Sequence, residues 1–101
     1  MNVMSESIDD LTIAYSEDGT ETVKELGKHI LSKGAWTTIL FRYKEWNNSK
    51  SEFGPVKYSI RRYQKRNNQY WLKSKFNISS DDQARKIIEM LTNWLAEEES
   101  A

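Results

Sequence analysis

From Ala35 to Ile78 the chain changes character at every second residue, and from Ser80 onward at every third or fourth. The first period belongs to strands and the second to an amphipathic helix. The chain is thereby held to an order of strands first and one helix last. Residues 35–46 are rich in β-branched and aromatic types, which favour a pleated, half-buried surface. Thr37, Ile39, Phe41 and Tyr43 take one side; Trp36, Thr38, Leu40, Arg42, Lys44 and Trp46 take the other.

Residues 56–66 and 70–78 read as a long hairpin. A two-residue loop would pair Arg66 with Gln69 and carry Ile60 onto Lys75. A loop of odd length pairs Ile60 with Phe76 and Tyr58 with Ile78. One step of register moves every side chain to the other face, so burial favours an odd loop or a bulge near 66–69. Residues 22–33 suit either a helix or a strand, and the need of 35–46 for a partner favours the strand. Residues 47–55 form a loop that holds the only proline, Pro55.

In residues 80–97, Ala84, Ile87, Ile88, Leu91, Trp94 and Leu95 form one stripe. Ser80 is a natural N-cap with Gln83 three residues on, and Asp81 and Asp82 complement the positive end of the helix dipole. This stripe is expected to lie on one face of the sheet, and Trp94 within it to serve packing, under a loop or at a dimer interface, rather than ligand binding. The acidic 98–101 tail opposes the dipole and is expected to fray. Residues 1–20, acidic and serine-rich, are expected to be flexible, with a boundary at Gly19-Thr20 and a single sheet-plus-helix domain over 21–97.

With 101 residues there is room for one small core. No cysteine is present and His29 is the sole histidine, which excludes disulfides, thiolate metal sites and two-imidazole sites. No apolar run reaches the roughly 18 residues of a membrane helix and no signal peptide opens the chain, so a cytoplasmic protein is expected.

The formal net charge is zero, but its distribution is uneven. Residues 1–23 hold six acids and no Lys or Arg; residues 24–78 hold 13 Lys or Arg against three Glu; residues 79–101 hold six acids against two basic residues. Ten of the twelve aromatics lie between Trp36 and Phe76, inside the basic block. Strict alternation gathers Trp36, Arg42, Lys44, Trp46, Lys57, Arg61, Tyr63, Lys65, Trp71, Lys73 and Lys75 onto the sheet face turned away from the helix. Cations neutralise phosphates and rings stack on unpaired bases, so such a face suits single-stranded DNA or RNA with little sequence preference.

The ordered set Gly34-Ala35-Trp36-Thr37, Trp46-Asn47, Pro55, Lys57-Tyr58-Ser59-Ile60-Arg61 and Lys75-x-x-Ile78 resembles the positive cofactor 4 type of transcriptional coactivator, its small bacterial relatives above all. The resemblance covers residues 34–95. It implies an α+β fold, a curved four-stranded antiparallel sheet followed by one C-terminal helix. It also implies a homodimer that binds single-stranded DNA in transcription, replication or repair. Lys57 and Arg61 fall on the family's Lys-Tyr-x-Ile-Arg strand and Trp46 on its loop-edge tryptophan; the other candidates rest on alternation.

No catalytic constellation stands out, and neither cofactor nor metal is called for. His29 reads as a surface or strand-edge residue, and Asp81-Asp82 as capping charges. The rival reading is a protein-interaction module using the basic aromatic face or the helix stripe. The acidic N-terminal segment is a candidate competitor for the basic face, in which case its removal would tighten nucleic-acid binding.

Overall fold

A computed structural model describes residues 3–5 and 7–100, with side chains from Ser7 onward. The strands are β1 (Val3–Ser5), β2 (Tyr15–Glu17), β3 (Thr20–Ser32), β4 (Trp36–Asn47), β5 (Glu52–Phe53), β6 (Lys57–Arg66) and β7 (Gln69–Ile78). A short 3-10 turn spans Ile8–Asp10, and the helix α1 spans Asp81–Ser100. The order across the curled antiparallel sheet is β1-β7-β6-β4-β3-β2, with β5 pairing onto the end of β4. The architecture is α+β as expected, but among the described residues six strands cross the sheet rather than four. The two additional strands are the three-residue edges β1 and β2, supplied by the N-terminal segment.

Residues 22–33 form a strand, within β3. Its entry is an Asp18-Gly19 turn in which both residues have positive φ, and Glu17 pairs with Thr20. Gly19-Thr20 is therefore the tip of a hairpin and not a domain boundary. The β6–β7 connection is likewise an even, two-residue turn: Asn67 and Asn68 both have positive φ and Arg66 pairs with Gln69. Ile60 still pairs with Phe76 and Tyr58 with Ile78. The odd residue that reconciles the two lies four positions past the turn: Arg62 faces Ser74 and Tyr63 faces Leu72, leaving Lys73 as a bulge.

Residues paired directly across antiparallel strands share a face. Ile39 pairs with Arg61, Phe41 with Ser59 and Thr37 with Tyr63. The buried face of β6 is therefore Ser59, Arg61 and Tyr63, not Tyr58 and Ile60. Tyr63, Phe41, Ile39, Thr37 and Ser59 are fully buried, and Tyr70 and Leu72 pack beside them.

The N-terminal segment covers this face, not the helix. Leu11 is 1% exposed and Ile13 5%, and Ile8 packs against the same cluster. Two charged residues of β3 hold this strap. Lys28 Nζ donates to the carbonyls of Ile8 (2.9 Å), Asp9 (3.0 Å) and Leu11 (2.7 Å). The Glu25 carboxylate accepts from Thr12 Oγ1 (2.6 Å) and Ile13 N (3.3 Å). The expectation of a flexible 1–20 segment thus fails from Ser7 onward, because three apolar residues among the acids complete the core; residues 1, 2 and 6 lie outside the described residues.

The helix begins as its sequence requires. Ser80 Oγ accepts from Gln83 N at 3.1 Å, and Gln83 Oε1 reaches back to Ser79 N at 2.7 Å. It continues to Ser100, through most of the tail expected to fray; residue 101 lies outside the described residues. Its contacts with the sheet are few and fall chiefly on β7, and none of its residues is buried. Ile88, Leu91, Trp94 and Leu95 are 64%, 50%, 54% and 58% exposed, so the stripe does not cover the sheet. The radius of gyration is 16.1 Å, against about 13 Å for a compact chain of this length. A single-layered sheet with a projecting helix accounts for the excess.

Candidate nucleic-acid interface

The sheet has a strap side and an open side. Register arranges the open side in rows across the strands. Trp36 pairs with Gln64 and Gln64 with Trp71; Thr38 pairs with Arg62 and Arg62 with Ser74. His29, Leu40, Ile60 and Phe76 form the next row, then Gly27, Arg42, Tyr58 and Ile78, then Lys24 and Lys44.

The first two rows bring rings and charge together. The Arg62 guanidinium stacks over the Trp36 ring at 4.3 Å. Trp71 stands in the same row, two strand spacings from Trp36, roughly 10 Å at the usual interstrand distance. At the far end, Trp46 meets Phe53 edge-on with centroids 5.2 Å apart, and Lys24 Nζ lies 4.9 Å from the Phe53 ring. Lys24 and Lys44 are direct cross-strand partners, and neither forms an ion pair among the described residues. Like charges so placed repel each other and favour an anion between them. Among the described residues, alternation puts no carboxylate on the open side of β4, β6 or β7.

The eleven residues expected on one surface are divided by this arrangement. Trp36, Arg42, Lys44, Trp46 and Trp71 share the open side. Lys57, Arg61, Tyr63, Lys65 and Lys75 belong to the strap side, because Lys57 pairs with Tyr43, Arg61 with Ile39 and Lys75, Tyr63 with Thr37, and Lys65 with Tyr70. Lys73 occupies the bulge. Trp71 and Arg61 therefore face opposite ways, and the single surface argued from unbroken alternation does not exist.

Several strap-side groups are already engaged. Lys57 Nζ holds the Glu45 carboxylate at 2.8 Å, and this hydrogen bond raises the lysine pKa. Lys65 Nζ sits 5.6 Å from the Tyr70 ring. Burial raises the Tyr63 pKa, with the neighbouring Arg61 charge opposing it. Burial also raises that of Tyr43, helped by Glu45.

Sequence reasoning missed Arg62, Lys24, Tyr58 and Phe76 on the open side. The parity of β4 alone would have found Arg62, had its pairing with Thr38 been known. Nothing local distinguishes Arg61 from Arg62.

Comparison with protein-family profiles, curated proteins and solved structures returned no match. The fold and the two faces define the class that can be stated, an antiparallel α+β domain with one uncovered aromatic and cationic sheet face. No helix among the described residues is long and apolar enough to cross a membrane.

Proposed function

We propose that this protein is a non-catalytic, cytoplasmic binder of single-stranded nucleic acid that acts as a homodimer, in transcription, replication or repair. The observation that carries the reading is an open side on which β4, β6 and β7 present no carboxylate, and where Trp36, Trp71 and Trp46 are interleaved with Arg62, Arg42, Lys44 and Lys24. Unpaired bases stack on such rings for about 1–3 kcal/mol each. Cations beside the rings draw in the phosphates and make affinity fall with salt. A duplex offers no free base faces, so single strands are preferred. The resemblance to the positive cofactor 4 type supports the same ligand, although Lys57 and Arg61, its two strand residues, lie on the strap side here. The exposed stripe of α1 supports the dimer, since a second copy gives Ile88, Leu91 and Leu95 a partner the chain itself does not provide.

Titration with oligo-dT across salt concentration, followed on tryptophan emission, tests the reading. Quenching at low salt, a steep salt slope, and loss of both in Trp36→Ala and Arg62→Gln are expected, with Lys57→Ala near wild type. An intact fold without quenching would reject it. The central row of Leu40, Ile60 and half-exposed Phe76 favours one second reading, a protein partner on the same face, which that outcome would select.

A further inference from the structure

A separate cleft of about 280 Å³ opens on the strap side, where residues 12–15 run from the strap into β2. Its floor includes Arg61, Lys75 and Asn77, and its walls include Tyr43, Glu45 and Thr12. Arg61 and Lys75 are direct partners across β6 and β7, so two cations face each other on adjacent strands. Neither forms an ion pair among the described residues.

Two carboxylates lie close by: Glu45, in the cleft lining, is offset by Lys57 at 2.8 Å, and Glu25 accepts from Thr12 Oγ1 and Ile13 N at 2.6 and 3.3 Å. Arg61 Nε is buried near the Tyr63 hydroxyl without a well-formed hydrogen bond. A buried donor left in this way calls for a ligand or costs about 1–3 kcal/mol. Ser59 Oγ donates to Asn77 Oδ1 at 2.7 Å, which fixes the amide and leaves its NH2 group to donate. A guanidinium, an ammonium and an amide NH2 thus line one cleft as donors, in a cluster that keeps a net positive charge once Lys57 offsets Glu45.

We propose that this cleft is an oxyanion site that takes a phosphate group. A tetrahedral phosphate group, monoanionic in a diester or dianionic in a monoester, complements this positive charge and accepts from several donors at once, and arginine beside lysine is a pairing suited to it. The site is independent of the open side, which faces the other way. Two sources carry the group: a phosphomonoester such as a nucleotide, or the phosphodiester backbone of a strand that wraps the sheet edge.

The test follows the Arg61 Nε–Hε resonance in a nitrogen–proton correlation spectrum of the full chain. Inorganic phosphate is titrated at constant ionic strength, with chloride as the compensating salt. Saturable movement of that resonance and of the Asn77 side-chain amide is expected. Lys75→Ala should weaken binding about tenfold, equivalent to about 1.4 kcal/mol. Lys73→Ala, an exposed neighbour outside the cleft, should leave it unchanged. Thymidine monophosphate and oligo-dT without a terminal phosphate then separate the sources: whichever displaces inorganic phosphate supplies the group.

Absence of a saturable shift well into the millimolar range, with the spectrum otherwise native, would overturn the site. Equal losses in Lys73→Ala and Lys75→Ala would also overturn it, as the signature of diffuse attraction. Tryptophan quenching by oligo-dT without movement at Arg61 rejects this cleft and leaves the open-side reading standing.

Discussion

Lys73 has no partner on β6, yet the residues on both sides of it keep theirs. Its deletion should leave a regular ladder with Leu72 still facing the strap and Ser74 still facing out. The expected loss of stability is within about 1 kcal/mol, measurable by urea unfolding. Leu11 behaves oppositely. Its side chain is 1% exposed and has no substitute on the sheet, so Leu11→Ala should cost about 2–5 kcal/mol in the same measurement.

Tyr63 combines burial with a hydroxyl that lies near Arg61 without a well-formed hydrogen bond. Removing an unsatisfied buried group is neutral or favourable, so Tyr63→Phe should keep or raise stability by up to about 1 kcal/mol. Its pKa is raised above the ordinary 10.0 by burial. Its contribution is therefore fully present below 10.0 and is lost as pH rises through the higher folded value. Melting temperature should fall with alkaline pH, and less steeply in Tyr63→Phe.

Among the elements, the strap and the helix exchange the roles that composition implies. An acidic, serine-rich stretch reads as unfolded, but Ile8, Leu11 and Ile13 need only three positions to close the core. Deleting residues 1–20 should thus lower stability, and any change in nucleic-acid affinity would follow from unfolding rather than from release of a competitor. A gentler variant tests the strap alone. Lys28→Met keeps the stem and removes three charge-assisted bonds to carbonyls, at a cost of about 1.5–3 kcal/mol. Limited proteolysis should then cut first near Thr12.

The helix, in contrast, was legible down to its cap, because Ser80, Gln83 and the stripe spacing are local signals. Its placement was not legible. A stripe of apolar residues states that something covers it and is silent on what does.

At the scale of the whole molecule, a sheet one layer deep with a bare helix has too little buried surface for its length. Extents of 55 × 41 × 19 Å describe a plate, not a ball. A homodimer closed over α1 should show a melting temperature that rises with protein concentration. Leu91→Glu should abolish that dependence and yield a monomer in sedimentation equilibrium. Retention of the dimer in that variant would move the contact to the open side, in competition with nucleic acid.

Period and propensity sufficed for the strands, the terminal helix, the Ile60–Phe76 pairing and the apolar side of β4. Each depends on neighbours within one element or one hairpin. They did not suffice for which side of β6 is buried. Ser59 and Arg61 look like surface and Tyr58 and Ile60 like core, and the assignment runs the other way. Burial there depends on pairing with Phe41 and Ile39 and on a strap some fifty residues upstream, contacts that leave no periodic trace in the chain. Parity along a strand is a local property; which parity meets the core is a relation between distant segments, and a one-residue bulge at Lys73 changes how that parity is counted along β7.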